Sequence, residues 1–500
     1  MIRRELVTIL SSLLLGGACL SAQTTGSGQI EAWVTNADRS ALFQKQPGSA
    51  TFQARGGRAR GPAIVIDEAQ QLQSVDGFGF ALTGGSAELL MKMSPEARTR
   101  ILKQLFAHDE NNIGVSYLRV SIGSSDMNSF VFSYDDLAPG QTDVELQKFD
   151  LAQDKKDVIP VLKEILRIDP NIKILGSSWS APAWMKTNDN VRGGALKEEC
   201  YPVYAAYLVK YIQEMGKQGI PIDAITIQNE PLNSKNTPSM QWTVTQQAAF
   251  LKNALAPAFS KAGIKTKLIL FDHNCDRPDY PLFLLSDPVI SALADGSGFH
   301  HYGGDMGAMS KVHMARPDKN VYFTEQMITE RPGNPTLDIA NTVKRMIIDT
   351  TRNWSRNAIL WNLAADPENK PHTDNGGCGM CQGAITIDHD GVTLNIAYYT
   401  VAHASKFVRP GSVRIGSTNR GDSSVSLTED EERPGVYRAT LIENTQVLPN
   451  VAFKTPDGKI VLAVVNNTQS PSGFAVQYRG QVANLRLNSG AAGTYIWDAK

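Results

Sequence analysis

The sequence predicts an α/β fold, a (β/α)8 barrel with an attached antiparallel β-sandwich, and three observations lead to it. Eight short runs rich in β-branched and aromatic residues alternate with amphipathic stretches between residues 75 and 405, the order expected of a closed parallel sheet wrapped in helices. Two of those runs end in glutamate, at the strand end where such a barrel exposes its chemistry. From Val413 onward the helical spacing gives way to short alternating runs separated by turns.

The candidate barrel strands are residues 75–80, 117–122, 172–177, 224–229, 267–271, 298–302, 321–325 and 358–362. Each has the length and composition of a strand buried on both faces. The segments between them include 95–106, 158–166, 201–218, 244–262 and 340–348, several with apolar residues at helical spacing. Ser94-Pro95-Glu96 gives the first of these a capped start, with Pro at the first helical position. In the tail, 436–442, 460–466, 474–478 and 494–497 read as strands and Pro456-Asp457-Gly458 as a turn. Residues 63–66 and 72–75 also read as strands, so the N-terminal region is expected to join the sandwich. The expected division is an export signal at 1–22, an N-terminal segment at 23–74 that contributes sandwich strands, a catalytic barrel at 75–405 and a sandwich at 406–500. A chain of 500 residues has room for one domain of about 250 to 350 residues and a smaller companion.

With 49 basic and 50 acidic residues the formal net charge is -1 and no long Lys/Arg run stands out, so nucleic acid is not an expected partner. The start of the chain reads as an export signal: Arg3 and Arg4, an apolar stretch from Leu6 to Leu15, then Gly16, Gly17, Ala18, Ser21 and Ala22, with cleavage expected after Ala22. The apolar stretch is shorter than the ~20 residues of a spanning helix. Cys19 could accept a lipid, and membrane contact is expected only by that route, although Gly16 stands where a lipidation signal usually has a large aliphatic residue. The expected location is periplasmic, cell-surface or extracellular. Cleavage would leave Cys200, Cys275, Cys378 and Cys381, an even count that suits an oxidising compartment. Cys378-Gly379-Met380-Cys381 has the spacing of half a zinc site, but no second Cys or His pair completes it, and a local disulfide is expected. Pairing of Cys200 with Cys275 stays open.

Glu230 closes Ala224-Ile225-Thr226-Ile227-Gln228-Asn229-Glu230 ahead of Pro231, and Glu325 closes Val321-Tyr322-Phe323-Thr324-Glu325, so the two end the fourth and seventh strands. A lone glutamate is ordinarily a surface carboxylate or a helix-start residue. Two at equivalent strand ends, facing one cleft, are the pair that acetal hydrolysis needs. Asn229 could hydrogen-bond a sugar 2-hydroxyl, an interaction that strengthens in an oxocarbenium-like transition state. Trp179 follows the third strand and Trp361 lies in the eighth, where their faces could stack on a pyranose and exclude water. His300 and Tyr302 end the sixth strand, and Tyr302 could donate to Glu325 and keep it ionised. His300, His301, Asp272 and His273 are the only candidate metal ligands nearby. Adjacent strand residues point to opposite faces, so neither metal nor other cofactor is expected, and the partner is a carbohydrate substrate.

Val75-Asp76-Gly77-Phe78-Gly79-Phe80-Ala81, Ser178-Trp179-Ser180-Ala181-Pro182-Ala183-Trp184-Met185-Lys186, Gln228-Asn229-Glu230-Pro231, Phe323-Thr324-Glu325 and Ser405-Lys406-Phe407-Val408 occur in order over nearly the whole mature chain. Together they resemble glycoside hydrolase family 30, the glucosylceramidase family. The resemblance implies a (β/α)8 barrel with a β-sandwich, retention of anomeric configuration, Glu230 as acid/base and Glu325 as nucleophile. Arg119, in Leu118-Arg119-Val120, matches the family's second-strand arginine, expected to help hold the nucleophile's charge. Two departures bear on substrate. Glucosylceramidases continue the first-strand motif into Thr-Asp, whose aspartate contacts the glucose; here Thr83-Gly84-Gly85 leaves that contact missing at Gly84. The loop Asn375-Gly376-Gly377-Cys378-Gly379-Met380-Cys381 also differs from lipid-active members. The expected activity is therefore a secreted retaining β-glycosidase on β-glucosides, with β-1,6-glucan ahead of glucosylceramide. An inactive carbohydrate-binding protein on the same fold and a metal-dependent hydrolase are the competing classes. As acid/base, Glu230 is expected to have a raised pKa in the free enzyme.

Overall fold

Eight parallel strands follow one another around the barrel: β1 (Gly77–Ala81), β2 (Tyr117–Ile122), β3 (Lys173–Ser178), β4 (Ala224–Thr226), β5 (Lys267–Cys275), β6 (Ala294–Gly304), β7 (Asn320–Glu325) and β8 (Asn357–Leu360). The computed structural model describes residues 28–48, 50–53, 57–330, 333–418, 423–429, 437–443 and 447–499; the expected signal at 1–22, with Cys19, lies outside them. β8 pairs with β1 from Asn357↔Gly77 to Leu360↔Phe80. The seam between β7 and β8 carries single bridges, Val321↔Ser355 and Met327↔Trp361, and Phe323 N donates to the Asn357 side-chain oxygen (2.8 Å). A side chain thus stands in for part of the missing ladder.

Side chains along each strand alternate between the barrel interior and the surrounding helices. Tyr117, Leu175, Ala224, Ile269, Tyr322 and Ile359 form one interior apolar layer, while their neighbours Leu118, Ile174, Ile225, Leu268 and Phe323 join the core under the helices. Two residues further along, the next layer is polar, with Arg119, Ser177, Thr226 and Thr324 all buried. β5 breaks the alternation. Phe271 and Asp272 take positive φ (71° and 60°), and the pairing with β6 slips from Gly298↔Phe271 to Phe299↔His273. Phe271 turns outward onto Tyr280 (ring centroids 5.2 Å apart), and Asp272 enters the layer where a strict count from Ile269 puts a phenylalanine. β4 is shorter than expected, ending at Thr226. Beyond it Glu230 sits at φ 49°, its N–H on the Asp272 carbonyl (3.0 Å).

The second unit is one ten-stranded sheet that the chain visits at both ends. Gln29–Thr35 pairs with Ala492–Asp498, and Ala63–Ser74 lies between Val413–Ser417 and Ser472–Tyr478. The pairing of Ala63–Ser74 with Ser472–Tyr478 is parallel, a departure from the antiparallel expectation that is possible because no tight turn joins these two strands, which are far apart in the chain. A bridge between Gln53 and Val482 brings the sheet round on itself. In Lys459–Val465 the alternation has two buried faces: Ile460, Leu462 and Val464 fill the sandwich, and Val461, Ala463 and Val465 pack with the barrel core.

The helix Ile396–Ser405 fastens the two units through His403. Its ring is buried, with Nδ1 2.9 Å from Thr494 Oγ1 and Nε2 2.9 Å from Thr35 Oγ1. Thr494 gives its proton to the His403 carbonyl (2.8 Å) and so accepts from Nδ1; Thr35 accepts from Phe43 N (2.9 Å) and so donates to Nε2. A neutral imidazole is fully satisfied there, and burial lowers its pKa to about 3. Because the folded value lies below the ordinary 6.5, the stabilisation is complete above that pH and is lost as pH falls toward 3. Urea unfolding should therefore show stability dropping by up to about 1.4 kcal/mol per pH unit from this group below pH 6.5, and His403→Gln should flatten that slope. Equal slopes in both proteins would acquit His403.

Candidate active site

At the C-terminal mouth of the barrel a pocket of about 460 Å³ is lined by Asp126, Trp179, Asn229, Glu230, Glu325 and Trp361, among others. Its floor is the polar layer. Arg119 and Asp272, both fully buried, form an ion pair (Nη2 to Oδ2, 2.8 Å). A buried pair is tolerated only when its remaining hydrogen-bonding positions are filled. Asp272 also accepts from Ser177 Oγ (2.8 Å), Thr226 Oγ1 (2.7 Å), Thr324 Oγ1 (2.6 Å) and His300 Nε2 (3.0 Å). Burial alone would raise its pKa, but Arg119, His300 and Thr324 outweigh that and hold the carboxyl well below the usual range.

Arg119 distributes what Asp272 anchors. Its Nη1 donates to Glu325 (2.5 Å) and its Nη2 to the Asn229 side-chain oxygen (2.8 Å). Because Arg only donates, Asn229 must present its oxygen inward, leaving its amide NH2 as the group that can reach the pocket. The guanidinium lies 4.8 Å from the Trp179 ring, which stacks on Trp361 (centroids 5.3 Å apart, 28° between planes). The Trp179 indole N–H has no partner within the described residues.

Glu230 and Glu325 come together as the strand ends suggested, an oxygen of each lying within 4.8 Å of the other and of a His300 nitrogen. His300 Nδ1 is 3.1 Å from Glu230, Asn233 donates to the other Glu230 oxygen (2.7 Å), and His273 stands 4.0 Å away. Both His300 nitrogens face carboxylate oxygens, so the ring is held as an imidazolium. Burial opposes that charge, but Glu325, Asp272 and Glu230 raise its pKa to about 10. Burial would also raise Glu230, yet the hydrogen bond and charge of His300, with His273 and Asn233, bring it below the ordinary range. Glu325 is raised by burial, with Glu230 and Asp272 adding repulsion against His300 and Arg119. The expected order is therefore reversed: the high proton affinity sits on His300, not on Glu230. These three residues are close enough to surround an ion, but both His300 nitrogens are committed to carboxylates, and we read the cluster as handling protons.

The remaining candidates divide between the floor, the wall and the outside of the pocket. Arg119 and His300 are fully buried beneath the pocket and touch the carboxylates instead of lining its wall, so neither is placed to contact a substrate directly; Arg119 meets Glu325, as the resemblance implied. Tyr302 lines the pocket where the sixth strand end put it; its hydroxyl accepts from Met327 N (2.9 Å) and hydrogen-bonds Glu325, and burial of the phenol, then the charges of Glu325 and Glu230, keep it neutral. His301 turns away toward Arg345 (3.5 Å), as alternation requires. Asp126 was missed. It lines the pocket seven residues past Arg119, and burial, then Glu325 and Glu230, push its carboxyl up to about 8. A Cβ at Gly84 would meet the Asn128 amide at 1.9 Å, so Asn128 fills the space where an aspartate was sought and Asp126 brings a carboxyl in from the β2 loop.

The loop after β8 closes one side. Thr373 donates through its N–H to the Asp126 carbonyl (2.9 Å) and through its hydroxyl to the Thr237 carbonyl (2.7 Å), and Arg192 donates to Asn375 (2.9 Å). Gly376 and Gly377 are needed for the fit, since a Cβ would come within 2.5 Å of the Lys235 carbonyl or 2.4 Å of the Thr373 carbonyl. Cys378 and Cys381 are joined (S–S 2.00 Å), and Cys381 Sγ lies 3.3 Å from Met327 Sδ at the pocket wall. Cys200 and Cys275 are separate buried thiols.

A (β/α)8 barrel with two close glutamates at its C-terminal mouth defines a glycoside hydrolase. The model of the glycosyl hydrolase family 30 TIM-barrel domain matches residues 75–408 and that of the family 30 beta sandwich domain matches 411–495; the chain belongs to glycosyl hydrolase family 30. An endo-1,6-beta-D-glucanase of Neurospora crassa is 33% identical over 403 residues, 76% of this chain and 81% of that protein. A putative glucosylceramidase 1 of Caenorhabditis elegans is 28% identical, covering 81% of this chain and 76% of its own length. Among solved structures, the endo-beta1,6-glucanase BT3312 is 29% identical and superposes with a TM-score of 0.82 over 95% of this chain and 100% of that one.

Asp272→Asn should cost about 3–5 kcal/mol in urea unfolding, because an amide nitrogen would confront donors and leave Arg119 with Glu325 as its one paired carboxylate. A cost below about 1 kcal/mol would mean that Glu325 alone is enough to compensate Arg119.

Proposed function

We propose that this family 30 hydrolase cuts β-1,6-linked glucan with retention, Glu325 acting as nucleophile and Glu230 as acid/base. The observation that carries the mechanism is the spacing: oxygens within 4.8 Å of each other suit direct attack and leave no room for the intervening water of inversion, which needs carboxyls roughly 6.5–9.5 Å apart. Arg119 Nη1 is bonded to Glu325 and not to Glu230, which orients Glu325 and places a cation beside it, as a nucleophilic carboxylate needs. Glu325 attacks the anomeric carbon, the glycosidic bond breaks, and its electron pair stays on the leaving oxygen, which takes a proton from Glu230. Water then attacks the same carbon, gives its proton to Glu230, and returns the ester electrons to Glu325. The Asn229 amide and the Trp179 indole N–H are the free donors for sugar hydroxyls, and Asp126, neutral near pH 7, can both donate and accept.

For the substrate, the support is the glucanase activity printed for the N. crassa relative and for BT3312, together with the absence of an acid at Gly84 and the disulfide-bearing loop. The likeness to a putative glucosylceramidase keeps glucosylceramide as the second substrate to test. Export, with the disulfide formed outside the cytoplasm, accompanies this reading and rests on residues 1–22. Among the described residues no helix is long and apolar enough to cross a membrane.

Incubation with β-1,6-glucan, other β-glucans, xylan and glucosylceramide should give products from the first; release from glucosylceramide alone would replace the substrate. Glu325→Gln should lower kcat by at least about 10⁴-fold, and a 2-deoxy-2-fluoroglucoside with a good leaving group should label Glu325 in the parent. With azide, Glu230→Ala should yield the β-glucosyl azide and Glu325→Ala the α-azide; the reverse outcome would exchange the roles. Because Glu325 must be ionised to attack and its pKa is raised, the acid limb of kcat/KM should lie above pH 4.5. An acid limb below that value would place the controlling carboxylate elsewhere.

A further inference from the structure

Double displacement asks Glu230 to give up a proton, yet the site holds Glu230 as an anion. We infer that His300 is a positioning residue that keeps the acid proton of the resting site on Nδ1 and passes it to Glu230 Oε1 as the leaving group departs. The inference rests on Glu230 and Glu325 acting as assigned above.

Geometry singles out this ring. His300 is fully buried, so no water competes for its proton, and each nitrogen has one carboxylate oxygen in reach: Glu230 at 3.1 Å from Nδ1 and Asp272 at 3.0 Å from Nε2. Asp272 cannot take the Nε2 proton, because four further donors hold it as a carboxylate. The mobile proton is therefore the one on Nδ1. The groups facing the ring are Glu230 beyond β4, Asp272 and His273 on β5, Tyr302 on its own strand and Glu325 on β7, with Arg119 of β2 across Asp272. Three carboxylates outnumber the one fixed cation, which is why a buried imidazolium is stable here.

The proton count closes. In the resting site His300 is doubly protonated and Glu230 is a carboxylate. As the glycosidic bond breaks, the Nδ1 proton moves to Glu230 and the Glu230 carboxyl protonates the leaving oxygen. This leaves neutral His300, still donating Nε2–H to Asp272, and an ionised Glu230. Glu325 has meanwhile become a neutral ester, so one of the three charges that held the imidazolium has gone. Water attack reverses the path: its proton goes to Glu230 and on to Nδ1 as Glu325 recovers its charge. The proton affinity that a cycling acid/base must raise and lower is thus located on a Glu230–His300 couple, and the nucleophile's own charge is the control.

The test compares the parent enzyme, His300→Gln, His300→Asn and Glu230→Ala on a β-1,6-gluco-oligosaccharide, whose leaving group needs a proton, and on 2,4-dinitrophenyl β-glucoside, whose leaving group does not. The His300 variants should lose at least about tenfold more kcat/KM on the oligosaccharide than on the dinitrophenyl glucoside, and the alkaline limb for the oligosaccharide should move down by about one pH unit or more. Equal losses on both substrates with an unmoved alkaline limb would assign His300 a merely structural role and overturn the inference. If Glu230→Ala also lost equally on both, the fault would lie with the acid/base assignment itself; selective loss in Glu230→Ala alone would overturn only the role of His300. Should the variants fail to fold, ¹⁵N NMR of the histidine-labelled parent decides: the His300 ring should be doubly protonated at neutral pH, and its midpoint should fall when Glu325 is trapped as the fluoroglucosyl ester. A ring titrating near 6.5 in the free enzyme would overturn the inference.

Discussion

The ion pair between Arg119 and Asp272 is the constraint on which the site is built. Both side chains are fully buried at 2.8 Å, and withdrawing two charges from water costs several kcal/mol per ion unless every remaining lone pair and proton is met. Meeting those of Asp272 takes a hydroxyl from each of β3, β4 and β7 and an imidazole from β6, all delivered at the same height in the barrel, while the Arg119 Nε–H is left without a partner among the described residues. A closed sheet can do this because its strands hold fixed register and alternate with period two. The cost is accepted for what else the guanidinium does: Nη1 fixes Glu325, and Nη2, shared with Asp272, fixes Asn229 from below. A shift of one strand by one residue would withdraw a hydroxyl, strand the Asp272 charge and release Glu325 together.

From that pair follows the charge state of the mouth. Asp272, Glu230 and Glu325 supply three carboxylates against Arg119 and His300, so the cluster is short of one positive charge. The deficit is felt outward. Asp126, with no cation of its own, is pushed up to about 8 by burial and by the two glutamates, and so meets a sugar at neutral pH as an uncharged acid. The floor thus separates two kinds of carboxyl that composition cannot tell apart: those with donors beneath them stay ionised for chemistry, and the one without becomes a neutral hydrogen-bonding group.

Much of this was legible. The eight strands appear near their expected places, and Glu230 and Glu325 meet because strand ends of a barrel converge whatever their distance in sequence. What escaped was what the backbone does off its regular period. Counting by two from Ile269 puts Phe271 inside and Asp272 outside, and only the slip against β6 and two positive φ angles exchange them. Read by the simple rule, Asp272 was a remote metal-ligand option. A subtler signal was present: Ser177, Thr226 and Thr324 each lie two residues past an interior apolar side chain, and three hydroxyls at one height announce a buried charge nearby. The reversal of proton affinity between Glu230 and His300 had no sequence signal, since it depends on which nitrogen faces which oxygen.

The same logic separates chemistry from substrate choice. The floor has no freedom, because each member is needed to neutralise another, so a change in substrate has to be accommodated in the wall. The wall here is made of pieces that satisfy one another independently of the floor: Asn128 accepting from Ser125 N (2.9 Å), Thr373 tied to the Asp126 and Thr237 carbonyls, and a disulfide packed against the Met327 sulfur. Gly376 lets this loop lie against the β4 loop backbone, and Gly377 lets it fold onto Thr373 and the Asp126 carbonyl, approaches that a side chain at either position would prevent. Asp126 joins the two systems, since its carboxyl answers to the charges of Glu230 and Glu325 while its carbonyl holds the loop. A substitution that moved the loop would therefore reach the reacting centre through Asp126 before it disturbed Arg119 or Asp272, and would be felt in the fit of the sugar ahead of the protonation of its leaving group.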